Sequence, residues 1–134
     1  MAKLGRYSAD RKKIESLTAA TKTVEVHDCG TIFVLNRAGG VALTLPSLAS
    51  AGNGWWCKVV VQTALTSNST IASADGASTV FGPVASAAAD ANASSTISHD
   101  GETITIAAAA DVKGDVIEII QANSEWFVNG IAAT

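Results

Sequence analysis

The chain has 134 residues, of which 48% are hydrophobic and 16% are charged, and it carries a net charge of −3 at pH 7. This balance excludes a disordered chain and fits one folded domain with its own core. Alanine (25), serine (13), threonine (13) and glycine (11) make up almost half of the residues, whereas there are only three Trp, three Phe and one Tyr. Small side chains favour thin β layers and close subunit contacts, and they fit a deep catalytic cleft poorly.

The sequence gives no sign of export or of membrane insertion. The first residues lack the apolar stretch of a secretory signal, and no run reaches the ~18 apolar residues that span a bilayer. Two cysteines, Cys29 and Cys57, are too few for a disulfide framework. We therefore expect synthesis in a host cytoplasm, no membrane partner and reduced thiols.

The charge is distributed unevenly between the beginning of the chain and the rest. Residues 1–22 have a balance of +4, and residues 23–134 have a balance of −7. A basic segment on an acidic body is typical of an arm that docks on another molecule. We predict an arm over residues 1–22, ordered only against a partner, and a single β domain over residues 23–134. A short helix over residues 10–17 would place Ile14 and Leu17 on one face, but it is too short to be stable alone.

The arm is predicted to bind protein and not nucleic acid. The rest of the chain is acidic and repels phosphate, and Tyr7 is the arm's only aromatic side chain available to stack on a base. The arm residues predicted to contact the partner protein are Lys3, Arg6, Tyr7, Arg11, Lys12 and Lys13.

From residue 23 onward, the hydrophobic pattern is that of short strands. They are predicted at residues 23–27, 31–35, 41–45, 55–63, 68–73, 79–81, 95–98, 103–106, 115–121 and 126–131. A helical turn is predicted at residues 46–51, ended by Gly52, and a weaker one at residues 85–91. Asp100-Gly101 is a hairpin signal, and Asn123-Ser124 indicates another turn. Many short strands at regular spacing predict an all-β fold, an antiparallel β-sandwich or barrel of jelly-roll type with an extended N-terminal arm.

Two adjacent pairs of large side chains indicate buried subunit contacts. Neighbouring residues of a strand face opposite sides of a sheet, so only one member of each pair can enter the same core. A loop or a neighbouring subunit must cover the other member. We therefore predict a subunit interface that involves Trp55, Trp56, Trp126 and Phe127.

No pattern in the chain predicts a catalytic or metal site. His27 and Cys29 would share a strand face and could ligate zinc, but no paired ligand spacing accompanies them. Asp111, Asp115 and Glu118 lack the spacing of a calcium loop. A nucleophile–histidine–carboxylate site would have to use the exposed hairpin tip at His99-Asp100, and no nucleophile-elbow motif is present. The expectation is a protein that is not an enzyme and that needs no cofactor or metal.

Two stretches resemble β modules of phage particles. The first is Val41-Ala42-Leu43-Thr44-Leu45-Pro46, followed by Ala51-Gly52 and by the strand that starts at Trp55. The second is Gly114-Asp115-Val116-Ile117-Glu118-Ile119-Ile120, followed by Trp126-Phe127-Val128-Asn129-Gly130. Together they cover about half of the chain and resemble phage head-decoration and tail-fibre proteins.

A small single domain with a basic arm is, within that group, most similar to a capsid decoration (cement) protein. The resemblance implies a homotrimer on the capsid surface of a virion, in contact with the major capsid protein. Two alternatives remain open at this point: a phage tail or fibre module, and a carbohydrate-binding β-sandwich in which Trp55 or Trp126 stacks on a glycan.

Overall fold

The computed structural model describes residues 11–86, 97–109 and 112–132, and these residues form two β-sheets packed face to face. The predicted β-sandwich is confirmed, and the sheets do not close into a barrel. Twelve strands are present in the described residues: β1 (Lys13–Leu17), β2 (Thr21–Thr23), β3 (Thr31–Leu35), β4 (Ala42–Thr44), β5 (Trp56–Val61), β6 (Ser69–Ala72), β7 (Val80–Phe81), β8 (Val84–Ser86), β9 (Ile97–His99), β10 (Thr103–Ile106), β11 (Val116–Ala122) and β12 (Glu125–Ala132).

The first six strands alternate between the two sheets. β1, β3 and β5 lie side by side and parallel in the large sheet, while β2, β4 and β6 do the same in the small sheet. Because the chain crosses to the other sheet after each strand, it returns to a given sheet in the same direction. This half of the molecule is therefore a parallel coil of three turns.

The last strands form antiparallel hairpins. β9 and β10 are joined at Asp100-Gly101, where the Asp100 carboxylate accepts the backbone N–H groups of Glu102 and Thr103 at 3.0 and 2.8 Å. β11 and β12 are joined at Asn123-Ser124, both of which adopt positive φ. The large sheet has the order β1-β3-β5-β11-β12-β7 with β8 also on β12, and the small sheet has the order β2-β4-β6-β10-β9. The predicted purely antiparallel pairing is thus wrong, and both sheets are mixed.

Alternating side chains from both sheets fill the core. Phe33, Cys57 and Ile119 point inward from the large sheet, and Leu43 and Ile104 point inward from the small one. Trp55 and Trp126 meet edge to face with ring centroids 5.5 Å apart, and the Trp55 indole N–H donates to the Val26 carbonyl at 2.8 Å. The predicted helical turn is present as α1 (Leu48–Ala51), with Ser47 as its N-cap and Gly52 after its end.

Three local predictions are wrong. Residues 13–17 form strand β1 and not a helix, because pairing with β3 overrides the spacing of Ile14 and Leu17. The strand predicted at residues 23–27 is replaced by the end of β2 and a 3₁₀ turn at Val26–Asp28. The start of the predicted turn at residues 85–91 lies in strand β8, and the remainder lies outside the described residues.

Strands β1 and β2 also bear on the predicted arm. Residues 13–17 and 21–23 are hydrogen-bonded into the two sheets, so the fold begins well before residue 23. Residues 1–10 lie outside the described residues.

Candidate functional site

The two outer faces of the sandwich differ in chemistry. The small sheet presents short polar and methyl side chains, chiefly Thr21, Thr23, Thr44, Thr70, Thr103 and Thr105. The large sheet instead presents branched aliphatic and aromatic side chains in three rows that run across its strands. Such a face on a sheet exposed to water is unusual, because one side of an exposed sheet is normally polar.

The first row is aromatic and lies near the β11–β12 turn. Phe127 on β12 is paired with Ile120 on β11 and with Phe81 on β7, and Ile120 is paired with Trp56 on β5. The rings of Phe81 and Phe127 are 6.5 Å apart, and each of these two residues is 40% exposed. The Trp56 indole lies beside the backbone of Gly30, and Lys12 Nζ sits 5.2 Å from its ring centroid. We call Trp56, Phe81, Ile120 and Phe127 the aromatic row.

The second row crosses the middle of the face and contains its only described ion pair. Lys58 Nζ lies 3.2 Å from Glu118 Oε1, and both side chains are partly exposed. Ile14 and Ile32 continue this row on β1 and β3, and Asn129 ends it on β12. The pair leaves the middle of the face polar but without net charge.

The third row is aliphatic. Val34, Val60, Val116 and Ile131 follow one another across β3, β5, β11 and β12. Ile131 is 60% exposed, which is the highest exposure among the large hydrophobic residues of the described chain. Together the three rows form what we call the apolar face.

The apolar face is broad and contains a shallow groove. At ~4.8 Å per strand and ~3.3 Å per residue, six strands and five residues cover a flat area of about 480 Å². The groove has a volume of about 540 Å³ and runs between the aromatic row and the Lys58–Glu118 pair. A patch of this size equals the largest apolar patch of a typical monomer, which is often a binding surface.

The structure separates the four predicted interface residues into two pairs. Trp56 and Phe127 lie on the apolar face, in the same row. Trp55 and Trp126 are 3% and 0% exposed and belong to the core, so a neighbouring subunit cannot contact them. The same burial removes both residues as stacking platforms for a glycan. The prediction of all four as interface residues is therefore wrong for Trp55 and Trp126.

The predicted arm residues fall into three groups. Lys3, Arg6 and Tyr7 lie outside the described residues. Arg11 and Lys12 are exposed, and Lys12 lines the groove beside Trp56. Lys13 belongs to β1, where its Nζ lies 3.5 Å from Asp28 Oδ1. The structure thus brings one predicted arm residue, Lys12, against one predicted interface residue, Trp56.

The free edge of the large sheet at β1 is protected by charges that point inward. Glu15 is paired in register with the core residue Phe33, and its carboxylate lies 2.8 Å from Lys22 Nζ on β2. Beside them, Asp28 is buried and accepts the backbone N–H of Glu25 at 2.9 Å. Burial acts to raise the pKa of Asp28, but this hydrogen bond and the charge of Lys22 outweigh it, and the pKa lies below its ordinary value. Inward charges on an edge strand disfavour the addition of a further strand.

The opposite edge is short and interrupted. β7 and β8 pair with the two ends of β12, and Gly82-Pro83 connects them along its middle. A side chain at Gly82 would collide with the Val128 carbonyl, so only glycine permits this close approach. Proline cannot donate a ladder hydrogen bond, which makes this edge a poor template for a partner strand.

The residues considered for metal binding or catalysis are dispersed. His27 lies in the 3₁₀ turn, 3.3 Å from Glu25, and does not share a strand face with Cys29. Asp115 is buried whereas Glu118 is on the apolar face, so these two carboxylates do not line one site, and Asp111 lies outside the described residues. The Gly82 carbonyl oxygen accepts a hydrogen bond from His99 Nε2 at 2.8 Å. In residues 11–86, 97–109 and 112–132, no group of three or more His, Cys, Asp or Glu is placed to hold a metal ion.

Sequence reasoning missed most of the apolar face. Ile14, Phe81, Ile120 and Ile131 were not among the predicted site residues, although the signal was present in the chain. Strands 31–35, 56–61 and 116–120 contain consecutive apolar residues, and a strand without polar alternation is apolar on both of its faces.

Comparisons with known proteins add no relative. The chain matches no protein-family model, no curated protein and no solved structure. Within the described residues, no helix has the length and apolar character required to cross a membrane.

Proposed function

We propose that this protein is a non-catalytic structural component that works by binding other protein chains through its apolar face. The observation that carries this proposal is the outer face of the large sheet, where an aromatic and an aliphatic row flank one neutral ion pair, opposed by a threonine-rich face on the small sheet. An interface core is depleted in charge and enriched in aromatic residues, as the aromatic row is.

The assembly we propose is a phage capsid, with the protein as a decoration subunit that bridges neighbouring shell proteins. This finer proposal rests on the resemblance of residues 41–61 and 114–130 to phage β modules and on the basic segment at residues 1–22. Bridging adds contacts that exist only in the assembled shell. A ligand at 100 times its dissociation constant stabilises the state that it binds by about 2.7 kcal/mol.

The blunted edges favour a decoration subunit over a fibre module. A fibre built from a parallel coil continues by adding turns at its open end. Here, the open end carries Glu15, Lys22 and Asp28 in inward positions, where a further turn would need apolar side chains. No observation on the described residues favours the glycan-binding alternative, because Trp55 and Trp126 are buried.

The test of this proposal uses the phage particle. Particles are prepared without the protein, and their thermal stability is compared before and after addition of the purified full chain. We expect the protein to bind in a fixed ratio to the shell protein and to raise the temperature at which the particle releases its genome. Particles that neither bind the chain nor gain stability would refute the decoration role.

A further inference from the structure

The apolar face has the shape and polarity of a surface that packs on another sheet. Two sheets pack face to face about 10 Å apart with their strands roughly aligned. Nothing in the described residues covers Phe127, Ile120 or Ile131, which remain 40 to 60% exposed. The blunted edges at β1 and at Pro83 leave this face as the broad apolar contact surface of the described chain.

The charges of the face match a copy of the face itself. Lys58 and Glu118 lie next to each other in the central row, with side-chain exposures of 33% and 61%. A two-fold axis that runs parallel to the strands and passes between Lys58 on β5 and Glu118 on β11 places Lys58 of one copy opposite Glu118 of the other. A uniformly basic or acidic partner would leave one of the two charges opposed by a like charge.

The size of the face also fits a second copy. Two flat areas of about 480 Å² bury at least 900 Å² in total, close to the ~1,000 Å² that a specific interface needs. A contact at this lower limit should form at micromolar rather than nanomolar concentration.

We propose that a second copy of this chain docks on the apolar face, with the Lys58–Glu118 row at the centre of the contact, the aromatic row on one side of it, and Lys58 paired with Glu118 of the neighbouring copy. This inference rests on the proposed function and names one partner of the same surface. It assigns the interface role to Ile120 and Phe127 on the face and gives none to the buried tryptophans.

The association is measured by sedimentation of the full chain over a range of concentrations. We expect a mass of two chains at micromolar concentration, because a face that pairs with its own copy closes as a dimer. Phe127→Glu should raise the dissociation constant at least tenfold, whereas Thr44→Glu on the outer face of the small sheet should leave it unchanged. Far-ultraviolet circular dichroism establishes that both variants remain folded. A wild-type chain that stays monomeric at all concentrations would overturn the inference.

A charge-swap experiment tests the orientation of the contact. Lys58→Glu and Glu118→Lys should each weaken self-association, because like charges then face each other across the interface. An equimolar mixture of the two variants should regain it, since each charge again meets its opposite. A mixture that associates no better than the separate variants would overturn the proposed pairing.

The remaining occupants of the face are distinguished by two further measurements. If deletion of residues 2–10 converted a monomer into an oligomer, the chain's own beginning would be the occupant, and the inference would fail. A monomer that still binds and stabilises particles would refute self-docking but keep the decoration role. An oligomer that never binds particles would refute the decoration role but keep self-docking.

Discussion

Strand alternation decides the role of each large side chain in this protein. Trp55 and Trp126 enter the core, and their sequence neighbours Trp56 and Phe127 point away from it. The same rule separates the two cysteines from their neighbours: Cys57 is an inward residue of β5, and Cys29 is exposed after the 3₁₀ turn. Burial raises the pKa of the Cys57 thiol from 9.0 to about 12.

The two thiols should therefore differ in reactivity. Only a thiolate attacks a disulfide reagent, and the buried Cys57 stays neutral at pH 8. We expect one thiol per native chain to react rapidly with Ellman's reagent and the second to react only after unfolding. Cys29→Ser should abolish the rapid reaction, and Cys57→Ala should leave it intact. Rapid modification of both thiols in the native chain would contradict the packing of β5.

Strand β1 is an element that the sequence pattern did not predict. Its inward positions are Lys13, Glu15 and Leu17, so the apolar–polar alternation that identifies a strand is absent. The spacing of Ile14 and Leu17 suggested a helix instead. Charges occupy these positions because the strand closes the end of the core, where Lys22 Nζ reaches Glu15 and also lies 6.0 Å from the Phe33 ring.

Asp28 should make this edge sensitive to acid. Its pKa is lowered in the folded chain relative to the unfolded value near 3.8, so its stabilising effect is complete above that pH and is lost as the pH falls through the folded value. We expect Asp28→Asn to lower the free energy of unfolding at pH 7 by about 1–3 kcal/mol, the range for a hydrogen bond to a charged group.

The effect is measured by urea unfolding from pH 7 to pH 3. The difference in the free energy of unfolding between the wild type and Asp28→Asn should shrink as the pH falls. The wild-type carboxylate is then protonated and, like the asparagine amide, uncharged. A difference that stays constant over this range would show that shape and not charge accounts for the loss.

The sequence predicted strand positions well and strand pairing poorly. The runs at residues 31–35 and 126–131 were located within two residues, and the turn residues at Asp100-Gly101 and Asn123-Ser124 marked the two antiparallel hairpins. The parallel turns carry no hairpin signal, because each connection crosses to the other sheet and does not fold back beside its own strand. The apolar face was missed for the same reason: its rows join residues from strands that are far apart in the chain.

Two deletions at the beginning of the chain test where the folded molecule starts. Removing residues 2–10 should leave the β-sandwich and its thermal midpoint unchanged, because the first described strands, β1 and β2, begin at Lys13 and Thr21. Removing residues 2–20 deletes β1, exposes Phe33 and Leu35, and should lower the midpoint by more than 10 °C or prevent folding. Differential scanning calorimetry of both variants measures this. Equal thermal midpoints for the two deletion variants would instead support the predicted domain boundary near residue 22.

The position of β11 between β5 and β12 also determines when the molecule can become complete during synthesis. Val60 hydrogen-bonds through its strand to Val116, which leaves the ribosome long after the three parallel turns have been made. Until then, β5 is an uncovered edge of the large sheet. Contacts between such distant residues slow folding, while the β11–β12 hairpin needs only its own turn to form. We therefore expect the β11–β12 hairpin to complete the large sheet as the last step of folding. A nascent chain stalled on the ribosome before residue 116 should be an incompletely folded intermediate that associates readily with other chains.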